Sequence, residues 1–386
     1  MEQELNSKKS IAVVGAGPSG CICAKILMDN GFSPLVFEKL SALKTLLPTG
    51  GGRCNLTYSE FDFKELAKNY PRGEKFLYSV FSRFGVRDAV DFFEKIGVKT
   101  YTQDDNRIFP ESNSSADVRE KFLNSLEQCK FKKENVEAIE RIENGYKLGT
   151  NKSEYKFNIV IMATGGRSNY FMLRRLGIPV IAPVQALVGL TTEKNFSSLA
   201  GISLKNVTGE GLAGDLLFTH KGISGPLVYK ISSIYARREA PYEISLNIAG
   251  GINMQDELDK NPHKEIKNLL DQFLPKAFGV YLLDDLHIDN TIPCSKIDGQ
   301  TRDKIAAALS DFKITVTGKN PEGEVVTAGG VDLRAINPAT MEARNFPGLY
   351  FCGEILDIDG FCGGFNLQNC WSTGALAARS VIDSLA

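Results

Sequence analysis

Ile11-Ala12-Val13-Val14-Gly15-Ala16-Gly17-Pro18-Ser19-Gly20 is the stretch on which the reading of this chain turns. An apolar, β-branched run enters a G-x-G-x-x-G turn, and Cys21–Met28, small and apolar, continues as a buried helix. Pro34–Glu38 is a second apolar run. Strand, glycine turn, helix and strand within about 30 residues make a βαβ unit, which favours a parallel sheet with right-handed crossovers. Each glycine then has a task. Gly15 permits the tight turn, Gly17 lets backbone approach a pyrophosphate, and Gly20 lets helix and strand pack closely. The phosphates sit at the helix start, around Pro18 and Ser19, where free N–H groups and the dipole favour negative charge. Glu38, with Lys39 after it, ends the second strand. A carboxylate there accepts hydrogen bonds from ribose hydroxyls and disfavours a 2′-phosphate.

A second G-x-G-x-x-G, Gly209–Gly214, lacks this setting. Leu216–Thr219 after it reads as a strand, and no acid stands where Glu38 does, so a hairpin or loop is expected. Three further segments point to FAD rather than NAD. Thr49-Gly50-Gly51-Gly52-Arg53-Cys54-Asn55 lets backbone pass close to a ligand and supplies a cation in Arg53. Ala163-Thr164-Gly165-Gly166 ends a strand beside the ribose and phosphate region. Near the C-terminus, a strand ends at Gly353-Glu354, and Asp359-Gly360-Phe361-Cys362-Gly363-Gly364-Phe365-Asn366 leads into a helix. That helix start brings N–H groups and a positive dipole end to a reduced flavin's charge. An NAD site needs no anchor so far along the chain, whereas a long FAD stretched across the sheet does.

The remainder of the chain sets limits. At 386 residues, two domains are expected. Phe61–Phe93 looks helical. Val136–Ile142, Tyr146–Leu148 and Lys156–Met162 read as strands, and Cys370–Leu385 as a closing helix. Between Pro183 and Gly251 lie short β-like runs, then helical patterns at Lys264–Phe273 and Thr301–Leu309. A net charge of −1 argues against a general electrostatic grip on nucleic acid or anionic membrane. No apolar run reaches the ~18 residues of a membrane span, and residues 1–10 do not read as a signal peptide. Eight cysteines without a C-x-x-C pair fit a reduced cytosol, so a cytoplasmic protein is expected. His220, His263 and His287 show no metal spacing.

These segments resemble the BaiN-like flavoproteins, a group that includes aminoacetone oxidase and proposed bile-acid reductases. The match also takes in Arg107–Pro110, Leu217–Pro226, Val326–Val331 and Pro347–Gly374. The resemblance implies an α/β fold, a glutathione-reductase-like Rossmann FAD domain with an inserted β-barrel and a small helical domain. On this chain that gives 1–186 and 326–386 to FAD and 187–325 to the insert, with its helical piece at about 256–312. Gly15, Gly17, Gly20, Glu38, Arg53, Asn55, Gly165, Gly353, Glu354, Gly363, Gly364 and Asn366 would line FAD. Their neighbours Pro18, Ser19, Lys39, Cys54, Thr164, Gly166 and Phe365 join them, and Val136 lies where such proteins offer backbone to adenine. Leu43 and Thr45 depart from the family's Gly and basic residue, and Asn369 stands where an apolar or aromatic side chain is usual.

The expected function is an FAD-dependent oxidoreductase acting on a small or medium organic molecule. The flavin carries the chemistry, so the lack of a Ser-His-Asp set or a metal site is no objection. Noncovalent FAD is expected, since no His or Cys has an attachment context. NAD(P)H is the expected transient donor of a reductase. An oxygen-dependent amine oxidase and a flavin-bearing RNA-associated or redox-sensing protein are the alternatives. His220, beside a glycine turn, is the weak candidate for a catalytic acid or base, against a purely structural role. Cys54 and Cys362 read as small buried hydrophobes.

Overall fold

In the computed structural model, which describes residues 9–249, 251–320 and 326–386, Ile11–Val14 is the central strand of a five-stranded parallel sheet. The order is Leu349–Phe351, Ile159–Met162, Ile11–Val14, Leu35–Phe37, Lys130–Lys132. Registers pair Val13 with Ile161 and Val36, and Ile161 with Tyr350. All four residues of Ile11–Val14 and of Ile159–Met162 are buried, as expected of parallel strands covered on both faces. Because every strand runs the same way, the turns after Val14, Phe37, Met162 and Phe351 open at one edge of the sheet, the edge at which such sheets bind ligands.

The helix Pro18–Asp29 packs on the long closing helix Phe365–Asp383, from opposite ends of the chain. Close approach is obligatory here: a Cβ on Gly374 would lie 2.4 Å from the Ser19 carbonyl oxygen and 2.7 Å from the Ile22 side chain. Trp371, fully buried, donates its indole N–H to the Leu56 carbonyl at 2.9 Å. Phe61–Phe93 is three helices, Phe63–Ala67, Glu74–Phe81 and Val86–Lys95, rather than one stretch. Pro71 and the left-handed Gly73 break the first junction, and Gly85 the second, where Asp88 accepts from its N–H at 2.9 Å. The closing helix begins at Phe365, five residues before the expected Cys370, because Gly364 at φ 93 starts it.

Two compact units result. One holds residues up to 184 together with 327–386; the other is 185–326. The expected end of the insert at 325 lies in 321–325, outside the described residues, as do residues 1–8 of the amino-terminal reading. The second unit is a closed six-stranded barrel, in the order Gly189–Thr192, Gly222–Ser224, Leu212–Thr219, Ser203–Gly209, Tyr242–Asn247, Phe312–Asn320. Helices Met254–Lys260, Ile266–Leu270, Lys276–Asp285 and Gly299–Ser310 share its core: Phe278 stacks on Phe218 at 5.4 Å and meets Phe312 edge-on at 5.6 Å. The pattern at Lys264–Phe273 yields only the helix Ile266–Leu270. Phe278 is fully buried. Phe278→Ala should therefore destabilise this unit by about 3–5 kcal/mol, read as a lower urea midpoint by circular dichroism. No helix among the described residues is long and apolar enough to cross a membrane.

Candidate functional site

The glycine loop after Val14 is built as its spacing demands. Gly15 sits at φ 102 with its N–H donated to the Phe37 carbonyl at 2.8 Å, and Gly20 packs so closely that a Cβ there would fall 2.0 Å from the Gly15 oxygen. Over Gly17 the space is open: a Cβ would meet nothing nearer than Thr45 Oγ1 at 3.8 Å. Gly15 and Gly20 thus serve packing, while Gly17 leaves room for a ligand at the helix start. Leu43, in the family's glycine position, takes the left-handed φ 55 and is fully buried. Its N–H donates to the Ala16 carbonyl at 2.8 Å, so this departure braces the same loop.

Glu38 does more than end a strand. Its Oε2 accepts from the Ala16 N–H at 2.9 Å and its Oε1 from Leu40 N–H at 2.8 Å, so the carboxylate ties the glycine loop to the second strand. Each oxygen keeps a lone pair for a ribose hydroxyl. Lys39 beside it is exposed. Glu38 also donates its N–H to the Lys132 carbonyl at 3.0 Å, and Val136, buried, opens the strand Val136–Ile142 four residues further on. Glu38→Ala removes two hydrogen bonds to an ionised acceptor and should weaken FAD binding at least ~10-fold, measured by quenching of FAD fluorescence.

The C-terminal segment meets this loop at Ser19. The Ser19 hydroxyl donates to the Cys352 carbonyl at 3.4 Å, and a Cβ on Gly353 would lie 2.4 Å from Ser19 Oγ. The Gly353 N–H donates to Thr373 Oγ1 at 2.9 Å. Burial pushes the Glu354 carboxyl above its ordinary range and the Asp359 carboxylate adds to it, while the Gly166 N–H and Arg167 work the other way. Glu354 thereby links the strand-end turn Thr164-Gly165-Gly166 to the C-terminal loop. Within that turn, Thr164 and Ser168 hydroxyls bond each other, Gly165 is left-handed at φ 76, and Tyr170 donates to the Gly166 carbonyl at 3.2 Å.

The loop Thr49–Asn55 lies against the start of the closing helix. A Cβ on Gly50 would fall 2.7 Å from the Asn55 nitrogen and 3.1 Å from the Phe109 ring; one on Gly364 would fall 2.7 Å from the Thr57 carbonyl oxygen and 2.9 Å from Asn55 Oδ1. That Asn55 oxygen is buried without a hydrogen-bond partner among the described residues, an acceptor awaiting a donor. Phe365 packs against Tyr58 at 4.9 Å and Tyr70 at 6.0 Å. Asn366 does not reach outward: its amide accepts from the Gly360 N–H and donates to the Gly360 carbonyl, both at 2.8 Å, closing the loop that carries the left-handed Gly363. Arg53 lies over the Phe109 ring at 4.1 Å and donates to Asn113 and Tyr101. Cys54 is buried at φ 64, and burial pushes its thiol up to about 12, which keeps it protonated; Cys362, expected to be buried, is instead exposed in the loop before the closing helix. His220 is exposed in the turn between Leu212–Thr219 and Gly222–Ser224 of the other unit. The second glycine motif is a hairpin pairing Gly209 with Leu212.

Two segments separated by about 300 residues thus converge on one parallel sheet edge, with an open helix start, an acid at the second strand end and a glycine loop beside a second helix start. These residues fit FAD, and the fold and site are those of an FAD-dependent oxidoreductase. Residues 9–380 match the family model described as "HI0933-like protein Rossmann domain", and the chain belongs to this HI0933-like (BaiN) family of FAD-binding flavoproteins. It is 29% identical over 410 residues to the ribosomal RNA dihydrouridine synthase of Haemophilus influenzae, spanning 96% of this chain and 97% of that protein. It is equally 29% identical over 411 residues to the 3-dehydro-bile acid delta(4,6)-reductase of Clostridium scindens, spanning 97% and 99%. Among solved structures, the 3-ketosteroid delta1-dehydrogenase of Sterolibacterium denitrificans is similar in fold, with TM-score 0.53 and 14% identity over 97% of this chain and 99% of that one.

Proposed function

We propose that this protein saturates a carbon–carbon double bond conjugated with a carbonyl group, using noncovalent FAD as resident cofactor and NAD(P)H as electron donor. The observation that carries the reading is end-to-end similarity to two relatives whose names describe that one reaction on different molecules. Dihydrouridine is uridine with the ring C=C beside a carbonyl saturated, and a delta(4,6)-reductase acting on a 3-dehydro steroid saturates double bonds conjugated with its ketone. When bound, FAD supplies two electrons and a hydrogen as a hydride equivalent. The chain's own residues do the holding. Gly17 and Ser19 would present N–H groups to the pyrophosphate, Glu38 would meet the adenosine ribose, Glu354 and the turn Thr164–Gly166 would hold the middle of the cofactor, and Gly50–Asn55 with Gly363–Phe365 would hold the ring. With the second glycine motif folded as a hairpin, no second dinucleotide-binding unit stands among the described residues, and NAD(P)H would dock transiently.

Anaerobic mixing tests this. NADPH or NADH should bleach the yellow holoenzyme, and a conjugated enone or a uridine-containing RNA should restore the colour. Bleaching by aminoacetone and not by NAD(P)H would install the amine-oxidase reading instead. An RNA substrate is favoured by two relatives: the Haemophilus influenzae protein and one from Escherichia coli, 28% identical over 404 residues and also named ribosomal RNA dihydrouridine synthase. A net charge of −1 then requires that RNA be held by local groups, and filter binding at graded salt measures how many.

A further inference from the structure

The short helix Tyr170–Leu176, which follows the turn Thr164–Gly166, has two unlike sides. Tyr170, Met172 and Leu173 are buried and anchor it. Arg167, just before it, and Phe171, Arg174 and Arg175 within it are exposed at helical spacing. Phe171 is 66% exposed, the most of any large apolar side chain among the described residues, so the core does not account for it. The Arg175 guanidinium lies 6.0 Å from its ring centre. Past the helix the cations continue. A Cβ on Gly177 would meet the Phe346 ring at 3.7 Å, and Arg141 lies over that ring at 6.0 Å. Arg141 donates to the Asn345 carbonyl at 3.5 Å, and the adjoining Arg344 donates to the Arg334 carbonyl at 3.2 Å; both are exposed. Arg141, Arg167, Arg174, Arg175 and Arg344 are without a carboxylate partner among the described residues. Of the acids on these segments, Glu140 and Asp332 already hold Lys147 and Arg334, which leaves Glu137, Glu143 and Glu342 against five unpaired guanidinium groups.

We propose that this face holds an RNA substrate, with the arginines on phosphates and Phe171 stacked on an unpaired base. This rests on the reading that the conjugated double bond reduced here is that of a uracil ring in RNA. The chemistry of the face selects such a partner. Guanidinium groups are weakly hydrated forks that match phosphate oxygens two at a time. An exposed ring flanked by cations offers a π-face to a base, the combination by which proteins hold single-stranded nucleic acid. The place suits the reaction. Arg167 directly follows the turn that would hold the middle of the cofactor, and its charge acts on the buried Glu354. A strand lying on the face therefore reaches the cofactor's place at one end. A uracil meets a flavin only after leaving its stack, and a neighbouring base stacked on Phe171 offsets part of that cost. A net charge of −1 is no obstacle, because the grip is local.

Holoenzyme is bound on filters to unmodified ribosomal RNA transcribed in vitro, over a series of salt concentrations. Each phosphate held on a single strand contributes about −0.7 to the slope of log K against log salt. Arg174→Gln with Arg175→Gln should therefore make the slope shallower by about 1.4. Phe171→Ala should weaken binding at least ~5-fold at unchanged slope, since stacking releases no counterions. Lys75→Gln with Lys95→Gln removes the same charge from exposed positions on the helices Glu74–Phe81 and Val86–Lys95 and should leave the slope as in wild type. A slope unchanged by the arginine pair, or lowered as much by the lysine pair, would overturn the assignment of this face; wild type that still binds the RNA, and whose reduced flavin the RNA reoxidises, keeps the RNA reading. Wild type that binds anionic vesicles and no RNA would overturn that reading and the face with it, while reoxidation by a 4-en-3-one steroid would preserve the reductase. Should the first pair lose FAD or melt early, Arg141→Gln with Arg344→Gln puts the same question to the neighbouring segments: a slope shallower by about 1.4 supports the face, and an unmoved one refutes it.

Discussion

Gly15→Ala should give a protein that purifies colourless and takes up no FAD on reconstitution. The argument is steric and local. Gly15 lies at φ 102, where an L side chain costs about 1–2 kcal/mol. The added carbon would also sit 2.4 Å from the Ala163 carbonyl oxygen, 2.8 Å from its carbon and 3.1 Å from Thr164 Cα. None of these atoms belongs to a flexible side chain. Ala163 follows the strand Ile159–Met162, which is paired on both sides, and its N–H donates to the Val14 carbonyl at 2.8 Å. The loop must move instead, and with it the start of the helix that receives the phosphates. Forcing such an overlap costs a further ~1–3 kcal/mol. Together the two costs, about 2–5 kcal/mol, amount to ~30-fold to several thousand-fold in affinity, at 1.4 kcal/mol per tenfold. Gly17→Ala is the control. It meets only Thr45 at 3.8 Å, so the apo fold should be as stable as wild type while FAD binding still weakens. Flavin absorbance per protein and apo-protein melting separate the two variants. A yellow, stoichiometric Gly15→Ala would contradict the packing account.

That contrast shows which parts of the site are legible along the chain. From Ile11 to Glu38 every link is local: strand, turn, helix start and acid lie within one βαβ unit, and period and glycine spacing are enough. The position of Leu349–Phe351 next to Ile159–Met162 is not local, yet Gly353-Glu354 could be read because a strand ending on glycine and acid carries its own signal. What the sequence does not disclose are partnerships across distance. Arg53 reads as a cation free for cofactor. Its partners Tyr101 and Asn113 stand 48 and 60 residues away, and no short motif announces them. Asn366 reads as a ligand, but its amide turns back on Gly360, a bond that depends on loop shape. The split of Phe61–Phe93 is legible at Pro71, where the three- and four-residue apolar spacing lapses between Tyr70 and Phe76, and at Gly85, where that spacing continues from Phe84 to Val86 and Ala89 and masks the break. His220 reads as a titratable residue beside a glycine turn, and the fold places it in an exposed barrel turn.

Arg72→Met should cost about 3–5 kcal/mol and loosen FAD at least ~10-fold, although Arg72 lies outside every glycine motif. The guanidinium grips Asp359 through Nε and Nη2, and Asp359 is fully buried. The same short segment holds the C-terminal loop three more times: Arg72 bridges Asp359 through backbone, the Phe361 N–H donates to the Asn69 carbonyl at 2.9 Å, and Tyr70 donates to the Phe365 carbonyl at 2.6 Å. Asn69–Arg72 is thus the brace that sets where Gly363, Gly364 and the helix start stand. Removing the cation leaves a buried carboxylate facing Glu354, whose own carboxyl is already raised by burial and by Asp359. The loop can relieve that only by opening towards water, which moves the helix start away from Asn55. Asp359→Asn on top of Arg72→Met removes the stranded charge, so the double variant should be more stable than Arg72→Met alone, a sign that simple loss of packing would not produce. Urea unfolding of Arg72→Met, of Asp359→Asn alone and of the double variant gives the coupling energy, and FAD titration of each shows whether affinity follows it. If the double variant is no more stable than Arg72→Met, charge burial is not what makes this brace matter.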